Sequence, residues 1–151
     1  LHRNFMGYTT QNSAILLGLG VSAISDAGTA FAQNHKRLHE YYESIDAGQL
    51  AVAKGYFLNE EDMAMRRYIL DISCRSRTQL APEDLPRLQP YTLPALQDLQ
   101  QDGLVRLSDR VVEVTPLGRH FLRNICHAFD QLLLRQEASS QNQPAIFSKA
   151  I

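Results

Sequence analysis

Hydrophobic and polar positions alternate with a helical period in four parts of the chain. Apolar side chains recur three and four positions apart, as on one buried helix face, in residues 35–47, 60–76, 92–102 and 115–136. Asn34 and Asn59 precede the first two stretches and are predicted to cap these helices. The pattern therefore predicts four helices, of which the last is the longest.

The apolar positions between these helices predict strands. Residues 15–21 form an apolar run interrupted by glycines, which is typical of a buried strand in a larger sheet. Residues 51–58 predict a short strand that leads into the second helix. Residues 104–114 alternate in polarity around a turn at Ser108-Asp109, and this alternation predicts a β-hairpin.

The order of these elements indicates an α+β fold that is mostly helical. A helix, a short helix, a hairpin and a long helix over residues 49–136 predict a winged-helix-like domain. Residues 1–34 are rich in turns and small residues, so they are not expected to fold alone. Residues 137–151 form a polar tail.

Charge and composition exclude several classes of function. The 151 residues carry a net charge of -1, which creates no field that would attract nucleic acid or anionic lipid. Helix 92–102, the candidate recognition helix of a DNA-binding winged helix, has Asp98 and Asp102 and no basic residue. No apolar run approaches the ~20 residues needed to cross a bilayer. Residues 1–5 lack the features of a signal peptide, so a cytoplasmic location without membrane contact is expected.

The chain also lacks the residues of a metal or dinucleotide site. Cys74 and Cys126 are interpreted as buried free thiols, and two cysteines are too few for an iron–sulfur cluster. His35 and His39 share a helix face but are expected to be solvated. The Gly-x-Gly pattern in residues 18–23 is followed by a poor helix, so it is a weak match to a dinucleotide-binding turn. No catalytic residue and no metal ligand are therefore predicted in this chain.

Several short stretches resemble the bacterial oxygen-independent coproporphyrinogen III oxidases. Residues 2–11 are similar to that family's Arg-Asn-Phe-Gln-Gly-Tyr-Thr-Thr segment, and residues 17–25 are similar to the segment that follows it. Further similar stretches are 32–34, 41–42, 118–119, 123–126, 129–130 and 147–151. A sister family of haem-chaperone-like radical proteins typically has Gly-x-Gly-x-Gly-Ala-His-Ser at the glycine turn, and this chain lacks that histidine. The resemblance therefore favours the oxidases, with the chaperone-like relatives and a winged-helix DNA-binding module as alternatives.

The resemblance implies the carboxyl-terminal part of a radical S-adenosylmethionine enzyme. Such enzymes use a [4Fe–4S] cluster to split S-adenosylmethionine, and the resulting radical takes hydrogen from propionate side chains of coproporphyrinogen III. Loss of carbon dioxide then leaves the vinyl groups of protoporphyrinogen IX. The family's Cys-x-x-x-Cys-x-x-Cys cluster loop lies in an incomplete (β/α) barrel and is absent from this chain. Residues 1–48 would be the last edge of that barrel and a connecting helix.

The resemblance also implies which residues approach ligands. It places Ile24 and Met6 near a second S-adenosylmethionine, although the family usually has glutamine in place of Met6. The candidates for the substrate pocket are Tyr8, Thr10, Gln11, Gly18 and Gly20. The parent enzyme is expected to be a monomer that binds both cofactors, whereas this chain alone would bind neither and would be inactive. Residues 49–136 would cover the barrel mouth and exclude water, recognise substrate, dock a partner, or serve in packing alone.

Overall fold

The computed structural model describes residues 1–139, which form two compact units. The first unit is Leu1–Leu70, and the second begins at Asp71, so that the division falls within one helix. Residues 140–151, which include most of the predicted tail and the similar stretch 147–151, lie outside the described residues. The predicted domain limits at residues 48 and 136 remain a prediction.

Short antiparallel strands dominate the first unit. They are β1 His2–Asn4, β2 Gly7–Thr9, β3 Ile24–Asp26, β4 Ala30–Asn34 and β5 Val52–Phe57. Strands β1 and β2 form a hairpin, while β3, β4 and β5 form a sheet in that order. The predicted strand at residues 51–58 is thereby confirmed, and it is an edge strand.

The predicted buried strand at residues 15–21 is wrong. Only Leu16 forms a bridge, and its partner is Asp26. The chain cannot continue as a strand because it turns at Gly20, with φ of 98°, and then at Ser22, with φ of 57°. Leu19 is 89% exposed instead of buried. The apolar run is therefore a loop.

Two helices complete the first unit, and both were predicted. They are α1 Leu38–Asp46 and α2 Glu60–Arg75. The amide of Asp62 donates to Asn59 Oδ1 at 2.9 Å, and the amide of Asn59 donates to Asp62 Oδ2 at 3.0 Å, so the predicted cap of α2 is confirmed. The Tyr56 hydroxyl also donates to Asp62 Oδ2 at 2.8 Å, and this hydrogen bond raises the pKa of Tyr56 above 10.0.

The second unit consists of short helices and one small sheet. After the end of α2 come β6 Arg77–Gln79, α3 Leu85–Leu88, α4 Thr92–Gln101, β7 Val105–Ser108, β8 Val111–Val114, α5 Leu122–His127 and α6 Gln131–Ser139. The sheet is antiparallel with the order β6-β8-β7. The predicted hairpin is confirmed, with Asp109 in its turn at φ of 43°. The α+β class is confirmed, and residues 1–139 contain no closed barrel.

The single long helix predicted over residues 115–136 is wrong, because the chain breaks it twice. A 3-10 turn, Gly118–Phe121, precedes α5. Gly118 lies against the backbone of Leu104, and an added Cβ would be 2.0 Å from the Leu104 carbonyl oxygen. A new helix begins after Asp130, whose Oδ1 accepts the amide of Leu133 at 3.0 Å. The backbone contact of Gly118 and the cap at Asp130 thus prevent the continuous helix that the spacing of the apolar residues predicts.

The second unit has a compact apolar core. Its fully buried side chains include Ile72, Leu88, Leu96, Val105, Val112, Ile125 and Phe129. These residues come from the sheet and from helices that precede and follow the β7–β8 hairpin in the sequence. Burial of this kind is the main favourable contribution to the stability of a small domain.

Phe129→Ala tests this core. Removal of the buried ring is expected to destabilise the second unit by about 3–5 kcal/mol, because transfer free energy is lost and a cavity remains. Leu132→Ala is the matched control, since Leu132 lies nearby in sequence but is exposed; its effect should stay within about 0.5 kcal/mol. Urea unfolding followed by circular dichroism measures both. Equal effects of the two substitutions would contradict the assigned core.

Candidate functional site

The predicted site residues lie on two features of the first unit, the β1–β2 hairpin and the loop before β3. On the hairpin side, Met6, Tyr8, Thr10 and Gln11 are all exposed, and Met6 is in the turn. On the loop side are Gly18, Gly20 and Ile24, all partly buried. We call residues 16–23 the glycine loop.

Aromatic and cationic groups organise the hairpin. Arg3 and Tyr8 are direct cross-strand partners, and the Arg3 guanidinium carbon lies 5.8 Å from the centroid of the Tyr8 ring. Asn4 Oδ1 accepts the amide of Met6 at 2.8 Å and thereby tightens the turn. The Phe5 ring packs edge-on against Phe31 of β4, with centroids 5.3 Å apart. Phe5 thus ties the hairpin to the three-stranded sheet.

The side chain of Asn34 holds the glycine loop. Asn34 is 8% exposed, and its Nδ2 donates to the carbonyl oxygens of Gly18 at 3.1 Å and Gly20 at 2.9 Å. It is the last residue of β4, whereas Arg37 occupies the cap position of α1 without a side-chain hydrogen bond. The prediction that Asn34 caps the first helix is therefore wrong.

The amides of the two glycines also have partners inside the protein. The Gly18 amide donates to Ser25 Oγ at 3.0 Å, and the Gly20 amide donates to the Tyr41 hydroxyl at 3.1 Å. An added Cβ at Gly18 would lie 2.7 Å from the carbonyl oxygen of Ile24, whereas at Gly20 it would meet nothing within 4 Å. The close approach at Gly18 is therefore an approach to the protein's own backbone.

An ion pair anchors the strand that follows the loop. Both carboxylate oxygens of Asp26 accept hydrogen bonds from Arg66 of α2, and Asp26 Oδ1 also accepts the amide of Gly28 at 2.9 Å. The Arg66 guanidinium carbon lies 5.0 Å from the centroid of the Phe31 ring. The pair is largely shielded from solvent, so it is screened less than a surface pair.

Sequence reasoning missed the roles of Asn34, Asp26 and Arg66. Asn34 did belong to a stretch that resembles the oxidases, and this was the signal available for it. Nothing in the helical pattern of α2 distinguishes Arg66 from the exposed Arg67 beside it. The pairing of Arg66 with Asp26 joins residues 40 positions apart, which only the fold brings together.

The donor groups of this chain do not fit an iron–sulfur cluster. Within the described part of the chain no group of three or more His, Cys, Asp or Glu residues is placed to hold a metal ion. Cys74 and Cys126 are both free thiols, and Cys126 Sγ lies 3.3 Å from Ser73 Oγ. His35 and His39 each lie within 3.3 Å of a glutamate on α1. No reaction step is therefore assigned to these residues.

Comparison with known proteins identifies the relatives of the chain. The oxygen-independent coproporphyrinogen III oxidase of Escherichia coli (strain K12) is 40% identical over 165 residues, which cover 100% of this chain and 33% of that protein. The enzyme of the same name from Synechocystis is 38% identical over 161 residues, which cover 100% of this chain and 34% of that protein. The homologues of this chain are oxygen-independent coproporphyrinogen III oxidases. The resemblance seen in the sequence is thereby confirmed.

A solved structure agrees with these relatives. Coproporphyrinogen III oxidase from Escherichia coli, described as a radical S-adenosylmethionine enzyme, superimposes with a TM-score of 0.78 at 39% identity, and the match covers 85% of this chain and 31% of that one. The chain thus spans about a third of the length of the relatives it matches. No protein-family model matches it. No helix within residues 1–139 is long and apolar enough to span a membrane.

Asn34→Asp tests whether the hydrogen bonds of the Asn34 side chain stabilise the glycine loop. An aspartate has the same size but donates no hydrogen bond, so the carbonyls of Gly18 and Gly20 lose the hydrogen bond from residue 34 and face a carboxylate. We expect a loss of about 1–3 kcal/mol in unfolding free energy, and faster amide hydrogen exchange at both glycines. Gln33→Glu is the matched control, because Gln33 makes one longer bond of 3.3 Å at an exposed position. Equal effects of both substitutions would refute the role of Asn34.

Gly18→Ala tests the close backbone approach. The new methyl group would overlap the carbonyl of Ile24, and the shift that relieves the overlap should cost about 1–3 kcal/mol. Gly55→Ala is the control, since the nearest atom, the Phe31 carbonyl oxygen, is 3.2 Å from an added Cβ. Thermal unfolding should show the larger loss for Gly18→Ala. Unchanged stability in that variant would mean that the space beside Gly18 is open.

Proposed function

We propose that the chain is the carboxyl-terminal part of an enzyme that oxidatively decarboxylates coproporphyrinogen III to protoporphyrinogen IX in anaerobic haem biosynthesis. One observation carries the proposal: 40% identity extends over the whole chain to the Escherichia coli oxidase. The TM-score of 0.78 to the solved oxidase structure supports it independently of the alignment of single residues.

The chain would complete the enzyme without supplying its radical chemistry. The cluster, which would cleave S-adenosylmethionine, needs thiolates that this chain does not provide. The exposed hairpin residues Tyr8, Thr10 and Gln11 carry hydroxyl and amide groups, and they would contact substrate. Met6 and Ile24 would contact a second S-adenosylmethionine. On this proposal the chain alone is inactive.

Residues 49–136 would form a winged-helix-like domain that covers the active site. In its favour are a helix, a strand, two helices and a hairpin in that order, together with the sheet order β6-β8-β7. Helix α4 precedes the hairpin, as a recognition helix does. However, it exposes Asp98 and no basic side chain, so it would repel the phosphates of a duplex. A covering role that excludes water fits this charge better than DNA binding.

A chimera tests the proposed function. The third of the Escherichia coli oxidase that matches this chain is replaced by the chain, and the protein is reconstituted anaerobically with iron and sulfide. We expect turnover of coproporphyrinogen III within about tenfold of the parent, a difference of about 1.4 kcal/mol in barrier. Fluorescence of the oxidised product, protoporphyrin, measures the rate.

Two controls accompany the chimera. The Escherichia coli protein without its matching third, and this chain alone, should both be inactive. A chimera with the same iron content and melting temperature as the parent but without any turnover would contradict the proposal. A chimera that fails to fold is distinguished from that result by its iron content and its melting temperature.

A further inference from the structure

The two units differ in where they place large apolar side chains. In the second unit many of them are buried in one core. In the first unit, by contrast, many remain in contact with solvent. Those exposed by more than 70% are Met6, Leu17, Leu19, Leu50 and Phe57. Large exposed apolar surfaces of soluble proteins commonly mark sites of protein contact.

The glycine loop presents part of this surface in a fixed arrangement. Leu17 and Leu19 are 74% and 89% exposed, while the glycines that alternate with them turn inward and are hydrogen-bonded. The amides and carbonyls of Gly18 and Gly20 are bound inside the protein, and the exposed side chains that alternate with them, Leu17 and Leu19, are apolar. A preordered apolar protrusion suits a protein contact, since little conformational entropy remains to be lost on binding.

We propose that Leu17 and Leu19 dock against the portion of the enzyme that lies outside this chain, with Asn34 as the positioning residue that holds them in place. This inference rests on the proposed function. Two thirds of the length of the matched relatives lie outside the region of similarity, which provides a protein partner of sufficient size.

A protein partner also explains the opposite edge of the β3-β4-β5 sheet better than a small ligand does. Strand β5 is the edge of the sheet that contains β3, and all six of its residues are exposed. Unpaired strand edges are covered by protein backbone or by charged side chains in stable folds. A cofactor would cover only a few side chains and would leave this edge in water.

Thiol labelling compares the loop in the isolated chain and in the chimera. Leu19→Cys is introduced into both, and the rate of maleimide attachment at position 19 is followed by peptide mass spectrometry, separately from Cys74 and Cys126. Without any cofactor or substrate, labelling should be at least about tenfold slower in the chimera, because the site must open locally before it reacts. Leu132→Cys is the control, since Leu132 is 60% exposed in the second unit; its rate should be the same in both proteins.

The outcomes separate this inference from the proposed function. An active chimera in which position 19 reacts as fast as in the isolated chain overturns the docking and leaves the function standing. Protection that appears only after S-adenosylmethionine or the tetrapyrrole is added also overturns it, in favour of a ligand contact. Protection that grows with concentration in the isolated chain indicates a second copy and overturns it as well. Protection in an inactive chimera supports docking and counts against the function.

The positioning role of Asn34 has its own readout. In the chimera that carries Leu19→Cys, the further change Asn34→Asp should restore fast labelling at position 19, because the loop is no longer held in its docked shape. Gln33→Glu in the same background should leave the protection intact. Full protection in the Asn34→Asp variant would overturn the role of Asn34 while leaving the contact itself in place.

Discussion

The amide of Asn34 is the contact on which the first unit depends. A carboxamide nitrogen has two hydrogens, and here each serves the carbonyl of a different glycine. Burial of this polar group would be costly alone, but it donates to the carbonyl oxygens of Gly18 and Gly20, of which the latter also accepts the Ala23 amide at 3.4 Å. The loop is thereby folded back, with Gly18 against Ile24, and its leucines are turned outward.

The two units are stabilised by different physical means. The second unit follows the usual scheme of a buried apolar core, with Phe129 and Ile72 fully enclosed. The first unit relies on directional polar contacts, namely the Asn34 amide, the ion pair between Asp26 and Arg66, and the cap at Asn59. Polar contacts fix geometry but contribute little net free energy each. A unit built in this way leaves large apolar side chains such as Leu17 and Leu19 exposed.

Local signals predicted the fold where they agreed with tertiary structure. The cap of α2 and the hairpin at residues 105–114 could be predicted because their hydrogen bonds join residues that are close in sequence. The break in the final helical segment could not be predicted, because it is caused by the contact of Gly118 with Leu104 and by the cap at Asp130. The roles of Asn34 and Arg66 depend on partners 14 to 40 residues away, which no local pattern records.

The glycine loop shows why a motif alone does not assign chemistry. In dinucleotide-binding folds a Gly-x-Gly turn offers free backbone amides to phosphate groups. Here those amides are already bonded to Ser25 and Tyr41, so the loop contributes shape and apolar surface. The side chains of Met6 and Ile24 can contribute dispersion forces alone to any contact, because neither carries a strong hydrogen-bonding group.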